Sequence, residues 1–342
     1  MFHFVAKIEL RIGGRRSTSY PIIQRGAEAS AAVEGVLQTT IKHDITFEGV
    51  GLHSGAPAKL VIRPAGVDAG LMFRRVDCAA GTTDIPALWD HVIQSPLCTR
   101  LVNAAGTEVS TVEHVMAALM GCGVQNAVLE VDGPEVPILD GSSIPFVRAI
   151  LKTGFTRLDA PVRALKVLKP VEVRRGEAVA RLSPHKTLLI DFAIDFADAA
   201  IGVQRKRLNM ANGSFVRELS DSRTFCRKAD IDEMLANGLA RGGTMDNAVV
   251  VDGDKVLSPG GLRHQDEAVR HKMLDALGDL ALAGAPILGH YEGSRAGHAL
   301  TNELLRVLFA TPGAVEWVTC DAAMEAELPG AGVHWGEVPQ VA

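Results

Sequence analysis

The chain has 342 residues, which is enough for two domains of ordinary size. Hydrophobic residues make up 47% of it and charged residues 22%, a composition typical of folded enzymes and unlike that of disordered chains. The net charge is −5 and no long basic run is present, so duplex nucleic acid is excluded as an expected partner.

Two further sequence features bear on where the protein works. No apolar run reaches the ~20 residues of a membrane span, and the first residues lack the pattern of a signal peptide. The five cysteines form no C-x-x-C pair and are odd in number, which favours reduced thiols over a disulfide framework or a thiolate metal site. We therefore expect a cytoplasmic protein with no transmembrane segment.

Residues 1–34 differ in composition from the remainder of the chain. They contain a basic, glycine-containing stretch at 11–16 and a run of small residues at 27–32. No apolar periodicity is sustained across them, so we expect a flexible N-terminal extension. The alternative is a strand at 5–12 that is added to the core.

From residue 37 onward, short strands alternate with helices. The strands are indicated by runs of β-branched and other apolar residues. The helices are indicated by apolar residues at i, i+3 and i+4, and glycines after residue 120 end the first of them. The predicted elements are strands at 60–62 and 127–131, a helix at 110–120, a loop at 136–143 and a short helix at 144–151.

A plausible linker at Asp159-Ala160-Pro161 divides the chain, because proline follows the end of a helical pattern. We therefore expect domain I at 35–160, domain II at 161–330 and a C-terminal tail at 331–342. Apolar residues take every second place in the first clear strand of domain II, which is typical of a half-buried strand. The elements predicted in domain II are a strand at 190–196 and helices at 231–240 and 266–283.

The last of these helices places potential metal ligands on one face. His271, Asp275 and Asp279 are spaced four residues apart and fall within a narrow sector, while apolar side chains occupy the far side. Zinc commonly uses imidazole and carboxylate ligands, and a catalytic site needs a third protein ligand plus an open position. His114, preceded by Glu113, is the candidate third ligand from far upstream.

Each of these residues also fits an ordinary structural role. Ser110-Thr111-Val112-Glu113 matches a capping box, in which Glu113 would only bond the backbone at the start of a helix. An acid and an imidazole at i, i+4 often form a solvated pair, and Lys272 and Asp279 fit ordinary surface charges equally well. His298 follows a glycine-led turn and fits either a helix cap or a catalytic acid. The residues alone leave these alternatives open.

Five segments in the same order resemble a known family. Ser110 to Leu119 resembles the first zinc motif of the UDP-3-O-acyl-N-acetylglucosamine deacetylases, enzymes of lipid A biosynthesis, and Pro134 to Ser142 resembles the loop that follows it. The resemblance runs from about Leu37 to the region near Leu328. The three other segments are Arg223-Thr224-Phe225, Asp266 to Asp279, and Gly297-His298-Ala299.

The resemblance implies both a fold and a reaction. The fold class is α+β, with two related domains that each pack helices against β-sheets, and with the active site between them. The reaction is zinc-dependent hydrolysis of the N-acetyl group of UDP-3-O-[(3R)-3-hydroxyacyl]-N-acetylglucosamine, the committed step of lipid A biosynthesis. The products are acetate and the free amine. The implied partner is this small-molecule UDP-sugar lipid, and we favour a monomer.

The resemblance also implies the metal ligands and the proton-transfer groups. His114, His271 and Asp275 would hold Zn²⁺, so that one ligand comes from the first half of the chain and two from the second. Glu113 would be the general base that deprotonates water. His298 would be a cation that stabilises the oxyanion and protonates the leaving amine.

The remaining implied roles concern support and substrate binding. Asp279 would orient the catalytic imidazole, and Thr224 would help to bind the oxyanion. Phe225 would pack against the substrate, and Lys272 would lie near its charged part. A passage for the acyl chain is expected in domain II, from the segment at 195–213 together with Phe225.

Two alternatives remain beside this interpretation. One is a zinc amidohydrolase of another substrate, such as a peptidase, although the H-E-x-x-H pattern is absent. The other is a non-catalytic protein that binds sugar nucleotides or lipids, which would need neither Glu113 nor His298. A local departure from the family is Cys226-Arg227-Lys228, where we expect a more apolar stretch.

Overall fold

The computed structural model of the chain describes residues 35–95 and 97–340. The predicted extension at 1–34, with its alternative strand at 5–12, lies outside the described residues. Below, the first half means residues 35–160 and the second half 161–340. Both halves fall within one unit, residues 33–342, and the domain boundaries at 160 and 330 stay predictions.

Strands and helices are mixed throughout the described residues, as the predicted α+β class requires. The helices are α1 Glu113–Gly121, α2 Ile144–Thr153, α3 Ser214–Glu218, α4 Lys228–Ala236, α5 Glu267–Ala281 and α6 His298–Ala310, with 3₁₀ turns at Trp89–His91, Ala322–Glu327 and Trp335–Glu337. The strands are β1 Leu37–Ile41, β2 Ile45–Val50, β3 Pro57–Pro64, β4 Leu71–Arg75, β5 Asp84–Pro86, β6 Val92–Ile93, β7 Arg100–Val102, β8 Glu108–Ser110, β9 Ala127–Asp132, β10 Phe155–Pro161, β11 Arg163–Val167, β12 Val171–Arg175, β13 Ala178–Pro184, β14 Leu188–Asp195, β15 Val203–Asn209, β16 Phe225–Arg227, β17 Val249–Asp252, β18 Lys255–Val256, β19 Ile287–Ser294 and β20 Val315–Thr319.

The first half packs α1 and α2 against a five-stranded sheet with the order β2-β3-β9-β4-β5. Buried and less buried residues alternate along β3, and its buried Leu60 and Ile62 pair with Val131 and Leu129 of β9. This alternation turns one face of the sheet towards the core. Every residue of α1 is buried, so this helix lies inside the molecule and carries Glu113 and His114 with it.

The second half is built on a seven-stranded sheet in which β19 pairs with β11, β13 and β14. Apolar residues at alternate positions of β14 are buried, as its sequence predicts. The helices α5 and α6 pack on this sheet, and a separate three-stranded sheet, β16-β17-β18, accompanies α4. No helix formed by residues 35–95 and 97–340 combines the length and the apolarity that crossing a lipid bilayer requires.

The two halves meet where α1 packs directly on α5. The contact is close at Gly278, where an added Cβ would lie 2.0 Å from the carbonyl oxygen of Glu113. Only glycine allows this approach of the two backbones. The close packing brings the first turn of α1 to the polar side of α5, which sets His114 opposite His271 and Asp275.

Most predicted elements are confirmed. The helix predicted at 231–240 is α4, Lys228–Ala236, so its bounds are wrong at both ends, and two further boundaries are also wrong. The helix predicted from residue 110 begins at Glu113, because Ser110 belongs to β8 and Thr111 turns the chain with a φ of +58°. The linker predicted at Asp159-Ala160-Pro161 is the end of β10, which pairs with β1 through Leu37 and Pro161. Proline is tolerated there because β10 pairs only with β1 among the described residues and is therefore an edge strand.

Candidate active site

Three buried side chains converge where α1 meets α5. The Nε2 atoms of His114 and His271 lie 3.5 Å and 3.3 Å from Oδ1 of Asp275. The two imidazole rings are nearly perpendicular, at 85°, and ligand atoms of all three residues lie within 4.8 Å of one another. The arrangement is a candidate metal site with two nitrogen donors and one oxygen donor.

The hydrogen bonds around these residues leave a gap that a cation would fill. Oδ1 of Asp275 is buried and has no hydrogen-bond partner among the described residues, whereas Oδ2 accepts from Nζ of Lys272 at 2.6 Å. Nδ1 of His271 donates to the carbonyl oxygen of Ser222 at 3.0 Å, which leaves the lone pair of Nε2 facing Asp275. A buried unpaired carboxylate oxygen beside imidazole nitrogens is the environment that zinc ligation satisfies.

Burial and charge set the protonation of these ligands. Burial is the largest influence on His271 and lowers its pKa to about 4, so the imidazole is neutral and able to ligate. Burial acts to raise the pKa of Asp275, but His271 and Lys272 outweigh it and hold the pKa well below its ordinary value. The acid is therefore a carboxylate at neutral pH.

Glu113 lies beside this cluster and is not a helix cap. Val112 is the N-cap of α1, and Oε2 of Glu113 accepts the backbone N–H of Thr99 at 3.0 Å. Its other oxygen, Oε1, lies 3.7 Å from Nε2 of His298. Burial raises the pKa of Glu113, so this carboxylate takes up a proton more readily than an exposed one. The capping-box alternative is therefore wrong.

His298, the first residue of α6, faces the same cluster. Its Nδ1 lies 2.9 Å from Oδ2 of Asp279, and its Nε2 lies 3.9 Å from Oδ2 of Asp275. Burial by itself would lower the pKa of His298, but the carboxylates of Asp279 and Glu113 outweigh it and raise the pKa to about 9. His298 is therefore a cation at neutral pH, with Nδ1–H donating to Asp279.

The other site residues from the sequence lie at the same cavity. Thr224 and Phe225 line it, and the ring of Phe225 meets that of His271 edge-on at 6.2 Å between centroids. Lys272 also lines the cavity, with its amine tied to Asp275. Of the nine predicted site residues, Asp279 alone does not line the cavity; it lies behind the imidazole to which it is bonded. The solvated-pair alternative for His271 and Asp275 is wrong, because both are buried.

The cavity has a volume of about 1170 Å³, enough for a large ligand. Its distal wall is formed by α4 and the segment 239–250. Of residues 195–213, all of which the structure describes, only Phe196 lines the cavity, so the passage expected from that segment is misplaced. The hairpin of β14 and β15 pairs along its length, which keeps these residues in the sheet.

Sequence reasoning missed three supporting residues. Thr99 donates its N–H to Glu113 and its hydroxyl to Asp279, and Ser222 accepts from His271. Nothing in the local pattern marks Thr99, which lies 180 residues from Asp279. Glu135 is the third: the sequence places it in the loop segment Pro134 to Ser142, and the structure shows that it is buried and accepts three hydrogen bonds.

Comparison with known proteins is decisive about the family. A family model described as UDP-3-O-acyl N-acetylglycosamine deacetylase matches residues 38–310. The chain belongs to this family. The prediction of the family is confirmed, and so are the predictions of an enzyme, a deacetylase, and of the α+β class.

Three relatives of the same family are similar to this chain over most of their length. The UDP-3-O-acyl-N-acetylglucosamine deacetylase of Phenylobacterium zucineum is 48% identical over 279 residues, which are 82% of this chain and 95% of that protein. That of Shewanella frigidimarina is 44% identical over 296 residues, 86% of this chain and 96% of that protein. That of an Anaeromyxobacter species is 45% identical over 294 residues, which are 85% of this chain and 95% of that protein.

Proposed function

We propose that this protein hydrolyses the N-acetyl group of UDP-3-O-[(3R)-3-hydroxyacyl]-N-acetylglucosamine, the committed step of lipid A biosynthesis, with one zinc ion held by His114, His271 and Asp275. The observation that carries the proposal is the unpaired, buried Oδ1 of Asp275, which both imidazoles approach beside Glu113 and His298. Family membership supports the substrate class.

The ligand residues are prepared for one cation. When bound, zinc would supply Lewis acidity, which lowers the pKa of a water and polarises a carbonyl oxygen. Lys272 holds Oδ2 of Asp275, so the carboxylate presents Oδ1 to the site. The carbonyl of Ser222 fixes the ring of His271 with Nε2 turned inwards.

Proton transfer falls to two side chains of opposite charge. Glu113 takes a proton from the attacking water, with Oε2 fixed by Thr99 and Oε1 turned towards His298. As the water oxygen bonds to the acetyl carbon, protonated His298 and the hydroxyl of Thr224 stabilise the oxyanion. The C–N bond then breaks, and His298 protonates the leaving amine while Asp279 keeps its ring in place.

The cavity offers separate surfaces to the two parts of the substrate. We assign the acyl chain to the wall formed by Phe225, α4 and the segment 239–250, whose apolar lining includes Ile231, Met234 and Leu239. We assign Lys272, whose amine lies beside the metal ligands, to the charged part of the sugar nucleotide. Each fully buried methylene would add about 0.8 kcal/mol to binding, and binding energy from this remote chain can appear in turnover as well.

A deacetylase assay of the purified protein tests the proposal. The acylated substrate should be turned over with a kcat/KM several orders of magnitude above that of UDP-N-acetylglucosamine, and metal analysis should find one zinc per chain. Equal rates on both substrates would remove the acyl-substrate assignment and leave a zinc hydrolase. A cytoplasmic location and a monomeric state stay predictions, and native mass measurement tests the second.

A further inference from the structure

Thr111 has a backbone conformation that its side chain disfavours. Its φ is +58°, in the left-handed region, where a β-branched residue is an outlier. Within residues 35–95 and 97–340, the other non-glycine residues of positive φ are not β-branched. Thr111 precedes Glu113 by two residues and lines the catalytic cavity. Such outliers persist only where their surroundings enforce them, and they gather at functional sites.

A buried carboxylate that the reaction does not use holds Thr111 in this conformation. Glu135 is 2% exposed, and its Oε1 accepts the hydroxyl of Thr111 at 2.9 Å and the backbone N–H of His53 at 2.8 Å. Its Oε2 accepts the backbone N–H of Ser54 at 2.8 Å. Hydrogen bonds to an ionised acceptor are stronger than those between neutral groups, so this carboxylate can fix all three donors.

The left-handed step decides where the catalytic carboxylate goes. Ser110 ends β8 and forms two backbone hydrogen bonds: its N–H donates to the carbonyl of Pro134, and its carbonyl accepts from the N–H of Val136. These two partners are the residues immediately before and after Glu135. Thr111 then turns the chain through its left-handed φ, and only Val112 separates it from Glu113 at the start of α1. A different φ at Thr111 would displace the first turn of α1, which carries Glu113.

The same carboxylate fixes one wall of the cavity. The segment that it holds, Leu52 to Ser54, receives backbone hydrogen bonds from the far wall: Gly242 donates to the carbonyl of Leu52 and Arg241 to that of His53. Gly51 packs against Glu135 so closely that an added Cβ would lie 2.2 Å from Oε2. Glu135 is therefore joined to both the catalytic turn and the cavity wall.

We propose that Glu135 and Thr111 are positioning residues that hold the general base: the Glu135 carboxylate locks Thr111 in its left-handed conformation and thereby sets the position of Glu113. The inference rests on the proposed function of Glu113 as the base. It assigns to this buried acid a part in turnover that does not involve contact with the substrate or with the metal.

The first test removes the hydroxyl and keeps the shape of the side chain. Thr111→Val should lower kcat per metal-loaded molecule about 10- to 100-fold, because a misplacement of about 1 Å at a reacting group can cost ~10²-fold, while KM changes much less. Thr111→Ser keeps the hydroxyl and should restore most of the rate. The control is Thr82→Val, which removes a hydroxyl bonded to a turn carbonyl at the surface and should leave kcat unchanged.

A double-mutant cycle separates positioning from general structural damage. If Thr111 acts through Glu113, Thr111→Val should have no further effect on the residual rate of Glu113→Gln. An additive loss, or a Thr111→Val enzyme with the original kcat, would overturn the positioning inference while Glu113→Gln remained slow. Full turnover by Glu113→Gln would overturn the proposed function and this inference together.

A second variant covers the case in which Thr111→Val fails to fold. Glu135→Gln keeps the size of the side chain but removes its charge and sets an amide N–H₂ either against the N–H of Ser54 or against both the N–H of His53 and the hydroxyl of Thr111. Glu135→Gln should lower kcat, with no further effect on the residual rate of Glu113→Gln. It should also raise KM, because the cavity wall at Leu52 to Ser54 loses a hydrogen bond to the Glu135 carboxylate. A Glu135→Gln enzyme with both constants unchanged would contradict the inference.

Discussion

The two ends of the catalytic cavity are built differently. At the metal end, the ionisable side chains of Glu113, His114, His271 and Asp275 are between 3% and 5% exposed, and each contacts at least one other charged or polar group. At the far end, α4 has no buried residue, although one of its faces lines the cavity. The side chains at the metal end are therefore buried and held by contacts on several sides, whereas the far end is formed by a helix that is not buried.

The difference follows from what each end must do. Proton transfer and attack on a carbonyl need atoms held within a fraction of an ångström. An acyl chain is bound by apolar contact, which depends on buried area more than on exact geometry. Substitutions at the metal end should therefore change turnover steeply, whereas those in α4 should change affinity in small steps that depend on acyl length.

Loss of a metal ligand should have the largest effect. We expect His271→Ala to lose metal and to lower kcat/KM by at least about 10³-fold, because the site would lose its Lewis acid. Chelation of the unmodified protein should abolish activity, and one equivalent of zinc should restore it. The matched control is His91→Ala, which removes a surface imidazole paired with Asp90. A fully active His271→Ala protein without metal would refute the ligand assignment.

Removal of either proton-transfer group should come next. Glu113→Gln and His298→Ala should each retain metal and lose about 10²-fold or more in kcat. Metal content measured on the same samples separates this effect from loss of the ion. Unchanged turnover in Glu113→Gln would show that Glu113 has only a structural role in α1.

The contact between α1 and α5 gives a third test of the metal end. Gly278→Ala would place a Cβ against the carbonyl oxygen of Glu113, so the helices must separate. We expect a loss of about 1–3 kcal/mol in the free energy of unfolding, together with reduced turnover. Gly66→Ala is the control, since nothing lies within 4 Å of its added Cβ. Equal stability of the two variants would count against this close packing.

The pH profile should report the charge of His298. Its pKa lies near 9 because Asp279 and Glu113 outweigh the effect of burial, so the protonated form is lost as the pH rises through that value. Activity should therefore fall on the alkaline side near pH 9. Asp279→Asn removes the nearer carboxylate and should move this limb to lower pH. A limb that stayed in place would exclude His298 as its origin.

The wall should give the smallest effects. Met234→Ser in α4 removes apolar surface from the cavity lining and should raise KM for long-chain substrates about three- to tenfold, the equivalent of roughly one to two buried methylenes. Short-chain substrates should be less affected. Leu235→Ser is the control, because Leu235 is 46% exposed and does not line the cavity. A large fall in kcat from Met234→Ser would show that the wall is as critical as the metal end.

Local periodicity was sufficient for a large part of the fold and of the site. The spacing of His271 and Asp275 predicts their common helix face, and the alternation at 190–196 predicts β14. The resemblance of five segments in the same order, and not periodicity, indicated His114 as the third candidate ligand and predicted the family. These features are encoded in residues that are neighbours along the chain, so a sequence pattern can report them.

Only the tertiary structure decided which partners these residues have. The sequence allowed Glu113 to be a helix cap, but the backbone N–H of Thr99 bonds its side chain, and the strained turn at Thr111 precedes it. It also gave no sign that Lys272 binds one oxygen of Asp275 and leaves the other unpaired in the interior. The bond between Thr99 and Glu113 joins residues 14 apart that lie in different elements, and although Lys272 and Asp275 are three residues apart on α5, only packing buries Asp275. Burial in turn shifts the pKa of Glu113 and of His271. The chemistry of the site therefore depends on packing that no local pattern contains.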